Sequence, residues 1–577
     1  MVEFISRRNL VRIVFTFALS IAVAGALMPA EAAKTLRRGN LAEPYSLDPH
    51  KTTGVHEANI IGEMLLGLYT DGVDGKPVLG AAESVEMSDD GLKWTFTLRA
   101  HVWSDGTPVT GDDFVFSFRR ILDPKTAAEY APVLYPIKSA FKVATGKLPV
   151  EVLGVSAPAR DRFVIELENP APYLPELLAH QTALPVPKHV VEKAGDDWTR
   201  AGSMLANGPY VLAEWRPHDQ VRLKKNSRFY DAQNVKIDEV IFYPIDDDLA
   251  ALKRYRAGEL DINERWPLAM HGWLANNVPN EARRSTALWS QYLSFNSRRK
   301  PFDDLRVRKA LAMSIDRKAV MKDVFQGLYG EEAFAILPPG TANVELAAKV
   351  EWAGWSMDKR RAEAKRLLAA AGFGPNMPLQ FAYNFSSNPD NRRAAVALQA
   401  MWNQIGVSVN LVATESKVHQ NLMQARDFDV AQDGWVLDYN DAKNHLYLFQ
   451  STTVEMNYAS YNSPLFDALL DRADREPDDQ ARAKLLGQAH AQLLKDLPVA
   501  PAAYPYQRQL VKGHVLNWIS NPRRVNRTRW VDIGDRPGPD TGASGASART
   551  QAADGGVWQW LASWFDREAW QKWWNSQ

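Results

Sequence analysis

The sequence predicts an α/β protein of more than one domain. Short runs with period-two alternation recur along the chain, among them Trp94-Thr95-Phe96-Thr97-Leu98-Arg99 and the series Phe163, Ile165, Leu167. Each marks a half-buried strand. Between such runs, apolar residues return every three or four positions, as at Phe114, Phe118, Ile121 and Leu122, which marks amphipathic helices. The 577 residues suffice for two or three domains, and 46% apolar with 24% charged side chains suits a large buried core.

The remaining elements follow in order. Ile60 to Tyr69 reads as a helix leading to a glycine turn. Thr110-Gly111-Asp112-Asp113 is close to a capping box, and the helix it opens ends at Asp123-Pro124. Arg222 to Tyr230 and Val235 to Tyr243 are strand material. Asp246-Asp247-Asp248 precedes a helix that runs through Tyr255 to Gly258. Three acids could hold calcium, but N-capping and the helix dipole account for them more simply. Trp355 to Ala371 is a helix closed by Gly372, and strands at Leu379–Tyr383 and Val407–Val412 flank a helix from Ala394 to Ile405. Phe428-Asp429-Val430-Ala431 is a short buried strand that runs toward Gly434.

Composition excludes several classes. With 68 basic and 68 acidic side chains the net charge is zero, so nucleic acid is not the expected partner. There is no cysteine, hence no disulfide, thiolate nucleophile, cysteine-ligated zinc or lipid-modified cysteine. The eleven histidines are scattered without H-E-x-x-H spacing, and neither a Walker A loop nor G-x-S-x-G occurs. No enzyme, cofactor or metal is expected. Arg7, Arg8 and Arg12, an apolar run from Ile13 to Leu27, and Ala30-Glu31-Ala32 read as a signal peptide cleaved near Ala32. Ser6-Arg7-Arg8-Asn9-Leu10 also resembles the twin-arginine export motif. Either export route leads out of the cytoplasm; the periplasm is the location that the resemblance described below implies.

The stretch that carries chemistry is Gly434-Trp435-Val436-Leu437-Asp438-Tyr439-Asn440. Asp438 stands among apolar neighbours, where a carboxylate must stay solvated, become protonated or find a cation. Residue chemistry alone favours an Asp that caps a turn, as in Asp-x-Asn-Asp at 438–441. Gly434-Trp435 and Asp438-Tyr439-Asn440 resemble a segment of bacterial periplasmic oligopeptide-binding proteins, the family 5 solute receptors of peptide ABC importers. Other blocks share the resemblance: Leu47-Asp48-Pro49-His50, Gly54-Val55-His56-Glu57, Ala82 to Pro124, Asn207-Gly208-Pro209-Tyr210, and Phe295-Asn296 with Pro301 to Leu311. It covers about Lys34 to Asp532.

The resemblance implies a two-lobed, three-domain periplasmic-binding-protein fold with hinge closure. Lobe one takes 33–65, 190–288 and 506–533, an extra domain takes 66–189, and lobe two takes 289–505. It also implies a peptide held as an added strand, with its α-amine on Asp438. Gly54, Val55, Gly434 and Val436 would offer backbone groups, Trp435 would wall a side-chain pocket, and Tyr504 or Tyr506 would reach the cleft. The sequence departs from the family where cations take peptide carboxylates: Gln432, Met423 and Asn391 occupy those positions, and Ser416 replaces a tryptophan. Arg392, Arg393 and Arg426 are the nearby arginines that could compensate.

Residues 534–556 form a Gly-, Ala- and Ser-rich linker, and 557–577 hold six of the nineteen tryptophans. Membrane-surface contact through that tail is one reading; docking on the chain itself or on the importer is another. The expected function is a monomeric receptor that delivers oligopeptides to a membrane permease. The alternatives are a receptor for another amine-bearing solute (a murein peptide, a dipeptide or a peptide antibiotic), an extracytoplasmic enzyme, and a chaperone-like binder.

Overall fold

The computed structural model describes residues 33–345 and 348–535. The signal peptide, the linker beyond 535 and the tryptophan-rich tail lie outside the described residues. Three sheets organise the chain. A seven-stranded sheet runs, edge to edge, through Ala282–Ser285, Gln507–Val511, Ile262–Asn263, Thr35–Gly39, Glu239–Tyr243, Gln220–Lys225 and Tyr210–Arg216. A six-stranded sheet runs through Gly330–Glu332, Val499–Pro505, Trp289–Phe295, Val430–Val436, Gln380–Ser386 and Ser408–Thr414. A four-stranded antiparallel sheet joins Ala82–Met87, Lys93–Leu98, Arg162–Glu166 and Val155–Ala159.

The chain passes from the first large sheet to the second between Ser285 and Trp289, and returns between Pro505 and Gln507. Tyr506 lies in that return. Its N–H donates to Tyr329 O at 2.8 Å. The Arg284 guanidinium covers its ring at 4.8 Å.

Local chemistry explains most elements. Thr110 N–H donates to Asp113 Oδ2 at 2.9 Å, which opens the helix Gly111–Leu122 with the expected capping pair. Phe114, Phe118, Ile121 and Leu122 are buried on its inner face, and Phe114 and Phe118 each pack on Phe163 of the four-stranded sheet. Asp247 Oδ1 caps the helix Asp248–Arg256 by accepting from Ala250 N–H at 2.6 Å, and Asp248 pairs with Arg265 at 2.6 Å. These acids are used in capping and pairing, and no metal-holding cluster occurs among the described residues. Asp48 of the Leu47–His50 turn takes Arg120 at 2.6 Å and Trp198 Nε1 at 3.1 Å, which ties the N-terminal segment to the helix Gly111–Leu122. Burial opposes ionisation of this carboxyl, yet the Arg120 guanidinium and His50 bring its pKa down to about 2.

Several elements differ from the sequence expectation. The first helix is Val55–Met64 rather than Ile60–Tyr69, and Tyr69 belongs to the strand Tyr69–Asp71. The helix expected at Ala394 begins at Pro389, where Asn388 caps it and the proline needs no donor at the first turn. Strand material expected to Tyr230 stops at Lys225. The strand expected to end before Gly434 continues through it as Val430–Val436.

Candidate functional site

The strand Val430–Val436 builds one wall of the site. It pairs antiparallel with Trp289–Phe295, Val436 opposite Trp289 and Gly434 opposite Gln291. On its other side, Gln380–Ser386 pairs only at Tyr383 with Val430 and Asn384 with Ala431. Residues 432 to 436 run on past that neighbour. Leu437 N–H donates to Leu288 O and Asn296 N–H to Asp429 O, which fixes the phase of the antiparallel ladder. Gly434 and Val436 therefore turn their backbone groups to the edge away from Trp289–Phe295. On that edge, Gln432 O accepts from His419 Nε2 at 2.8 Å and Gly434 N–H meets Asp433 Oδ1 at 2.8 Å. The Gly434 carbonyl and both Val436 groups are not taken by another strand among the described residues. Glycine is required at 434, because a Cβ there would lie 2.9 Å from Ser290 O of the paired strand.

Asp438 follows the strand end. Its side chain is 9% exposed, and three neighbours from two parts of the chain approach it. His180 Nε2 lies 3.4 Å from Oδ1 and the Tyr130 hydroxyl 3.5 Å from the same oxygen. Asn444 Nδ2 donates to Oδ2 at 3.2 Å, and Asn444 Oδ1 accepts from Asp438 N–H at 3.0 Å. Arg523 is near but donates to the Asp438 carbonyl oxygen and to Asp71 instead. No lysine or arginine side chain pairs with the Asp438 carboxylate among the described residues. Capping, the competing reading of 438–441, falls to Asp441: its Oδ1 accepts from Lys443 N–H at 2.8 Å, and its carboxylate holds Arg482.

Tyr130 and His180 come from the part of the chain that carries the four-stranded sheet. Tyr130 is buried, edge-on to both Trp435 (6.1 Å) and His180 (5.4 Å). Burial and the Asp438 carboxylate push its hydroxyl pKa well up, so it stays a donor. Tyr439 stacks on Tyr173 at 4.7 Å, and Asn440 N–H reaches Glu176. The site is thus a seam between the second large sheet and the four-stranded domain. Trp435 is pinned there, its Nε1 donating to Asn444 Oδ1 at 3.0 Å.

The other expected site residues divide. Gln432 and Asn391 come together: Gln432 Oε1 accepts from Ser386 N–H, Asn391 Nδ2 donates to Ser386 O, and both line one pocket with Gln291, Tyr292, Phe325 and Tyr329. Met423 does not join them. It is 2% exposed and packs on Phe428 and Ala431, so it is core. Tyr504 is also spent, its hydroxyl donating to Ala335 O at 2.8 Å and Leu337 O at 3.1 Å. Tyr506 instead reaches Glu331 Oε1 at 3.3 Å, at the crossing between sheets. Gly54 and Val55 open a helix rather than an extended edge: the Gly54 carbonyl accepts from Ala58 N–H, and neither residue hydrogen-bonds to the 432–438 segment. Of the compensating arginines, Arg426 is tied to the Gln424 and Val454 carbonyls.

His180, Tyr130 and Asn444 were not picked out by sequence reasoning. Tyr130 is 308 positions from Asp438, and no local spacing signals such a pair. Asn444 lies six residues beyond Asp438 and was the one within reach of a local reading. Asp433 is half-buried with one oxygen on Ser294 Oγ at 2.7 Å, and burial pushes its pKa up to about 6.

Residues 76–457 match the family described as bacterial extracellular solute-binding proteins, family 5. The oligopeptide-binding protein OppA of Salmonella typhimurium is 37% identical over 487 residues, 84% of this chain and 89% of that one. The chain belongs to family 5 of the extracellular solute-binding proteins. Among solved family 5 structures, Haemophilus influenzae OppA in complex with RPPGFSPFR matches with a TM-score of 0.83 at 32% identity, covering 87% of this chain and 99% of that one. The Escherichia coli murein tripeptide-binding protein MppA also gives 0.83 at 33% identity, covering 88% and 99%. An MppA structure described as the unliganded open form gives only 0.66 at the same identity, covering 87% and 98%. The two large sheets here are therefore arranged more as in the first MppA structure than as in the open form. The fold is the two-lobed α/β fold of this family, and its members are solute-binding proteins that include oligopeptide receptors. No helix among the described residues is long and apolar enough to cross a membrane.

Proposed function

We propose that the chain is a periplasmic receptor that captures oligopeptides and delivers them to the permease of an ABC importer. The peptide adds as a strand along Gly434 to Val436, and its α-amine pairs with Asp438. The observation that carries this reading is an open backbone edge ending at a nearly buried carboxylate that has no lysine or arginine side-chain partner among the described residues. A strand edge binds any peptide through its main chain, which suits a receptor for many sequences. A carboxylate at the end of that edge selects the terminus that bears a positive charge.

In this reading 33–65, 190–288 and 506–533 form lobe one, 66–189 the extra domain and 289–505 lobe two. The lobes close about the crossings at 285–289 and 505–507. The protein acts as a monomer without cofactor, metal or covalent chemistry. The test is calorimetry and thermal shift with free peptides of three to six residues. Stabilisation should rise with free peptide as RT ln(1 + [L]/Kd). A library in which no peptide shifts the melting temperature would sink the reading. The likeness to MppA favours a second reading, a murein peptide as the natural ligand. Mass spectrometry of ligand co-purified from the periplasm decides between them.

A further inference from the structure

We propose that Asp433 makes the Trp435 side of the strand edge a pocket for a side-chain cation, so that the receptor prefers peptides with lysine or arginine at the second or fourth residue. This rests on the peptide-receptor reading above and adds a side-chain preference to it. Asp438 takes the α-amine in that reading. Asp433 takes a second positive charge, carried on a side chain.

Asp433 stands opposite Tyr292 in the antiparallel ladder, and Trp435 opposite Ser290, so these four side chains share one face of the six-stranded sheet. Asp433 Oδ2 accepts from Ser294 Oγ at 2.7 Å, and Oδ1 from Gly434 N–H at 2.8 Å. A carboxylate accepts about four hydrogen bonds, so both oxygens keep spare capacity. No lysine or arginine side chain pairs with it among the described residues, and burial pushes the carboxyl up to about 6. Gly434 N–H belongs to the free edge of the strand. A side-chain cation that draws Oδ1 onto itself therefore also releases that donor to a peptide carbonyl.

Tyrosines surround the space between Asp433 and Asp438. Tyr447 is 6% exposed, and its hydroxyl is buried without a hydrogen-bond partner among the described residues. That hydroxyl lies within electrostatic reach of Asp438 and of Tyr458. Tyr292 lies within reach of Asp433, Tyr458 and Tyr447, and Tyr130 within reach of Asp438, Tyr447 and Tyr458. Trp435 joins the group edge-on to Tyr130 at 6.1 Å. Glu129, on the exposed rim, accepts from Gln424 Nε2 at 2.8 Å and adds a further negative charge near Tyr458. Arg426 is the guanidinium near Tyr458, and it is turned to the Gln424 and Val454 carbonyls. Aromatic rings and an unpaired carboxylate favour a cation. A lysine ammonium brings three donors and a guanidinium five, and acceptors are what this wall has to spare. An apolar side chain here would leave Asp433 without a counter-charge and the Tyr447 hydroxyl unsatisfied.

The register names the positions. An α-amine at Asp438, past the C-terminal end of the strand, runs the peptide antiparallel to Val430–Val436. Val436 and Gly434 turn their backbone groups to the free edge, so they pair with the first and third residues of the peptide. The second and fourth residues then fall opposite Trp435 and Asp433. Opposite residues send their side chains to the same face, about 5 Å apart, and long side chains also reach the diagonal neighbour. The second and fourth side chains therefore look onto Asp433, and the first and third look away from it. The experiment is calorimetry on alanine-based pentapeptides with a free amine. Each carries one lysine, one Nε-acetyl-lysine or one norleucine at positions one to four in turn, against the native protein and Asp433→Asn. The native protein should prefer lysine to both neutral side chains by about tenfold at position two or four, and not at one or three. Asp433→Asn should lose most of that ratio. Equal affinity for lysine and norleucine at positions two and four overturns the cation pocket and leaves the receptor reading standing. Failure of all peptides to bind the native protein overturns the receptor reading, and the pocket with it. A lysine preference that survives in Asp433→Asn overturns the assignment to Asp433. Should that variant fail to fold, the native comparison by position still decides, because Asp433 lies on one face of the edge alone.

Discussion

Asp438→Asn separates a ligand-binding carboxylate from a structural one. The substitution keeps the size and one acceptor oxygen. Its backbone bond to Asn444 Oδ1 is untouched, and the amide oxygen can still take the Asn444 donor now at 3.2 Å. The contacts to His180 and Tyr130, at 3.4 and 3.5 Å, are long and contribute little to the unliganded fold. Stability should therefore change by less than about 1 kcal/mol. The effect on ligand should be larger. An ammonium about 3 Å from a carboxylate attracts it by about 5 kcal/mol at an effective dielectric near 20. Desolvation of both groups offsets part of this, which leaves a net of about 3 kcal/mol, or about 150-fold in Kd. Calorimetry with matched free and N-acetylated peptides reads it directly. The native protein should prefer the free amine by about two orders of magnitude, and the variant should lose most of that preference. Equal affinity of the native protein for the two forms would refute the assignment of Asp438.

Met423→Ala should cost about 2–4 kcal/mol in urea unfolding, because it empties core packed on Phe428 and Ala431, and should change peptide affinity less than threefold; an affinity loss without a stability loss would return Met423 to the cleft. His490 is buried, its Nε2 accepts from Ile336 N–H at 3.2 Å, and burial lowers its pKa from 6.5 to about 4. A depressed histidine stabilises the fold above the unfolded pKa, and that contribution, about 3 kcal/mol, is lost as pH falls from about 6.5 through 4. His490→Gln should flatten the unfolding midpoint over that window, and an unchanged slope would remove His490 from the account. Deleting residues 557–577 should leave peptide affinity unchanged and lower sedimentation with anionic liposomes; no liposome binding by either form rejects the membrane reading of the tail.

Much of the fold was legible because its signals are local. The capping pair at Thr110 and Asp113, the apolar face from Phe114 to Leu122 and the period-two run at Lys93–Leu98 each depend on residues a few positions apart. Gly434 misled for a definite reason. Glycine inside a strand usually weakens it, so a glycine reads as an end, whereas here it permits the close approach of Ser290 O. Asp438 stood out as a carboxylate among apolar residues, but residue chemistry alone left a turn cap open, and the resemblance made it a candidate. Its partners could not, because Tyr130 and His180 meet it only when the four-stranded domain docks on the other sheet. The resemblance implied a place in the cleft for Met423, but the helix Ser416–Ala425 turns that residue onto Phe428.

The seam at Asp438 bears on how capture would be coupled to closure in the proposed reading. The carboxylate follows a strand of the six-stranded sheet, while Tyr130 and His180 come from the part of the chain that carries the four-stranded sheet. The proposed amine site is therefore complete only when those parts are together. A ligand shifts a conformational equilibrium only by its difference in affinity for the two states. A peptide amine that meets Asp438 would gain Tyr130 and His180 as neighbours only on closure, so closure would select for a free amine. An edge at Gly434 and Val436 that pairs with main chain alone would leave the side chains unread.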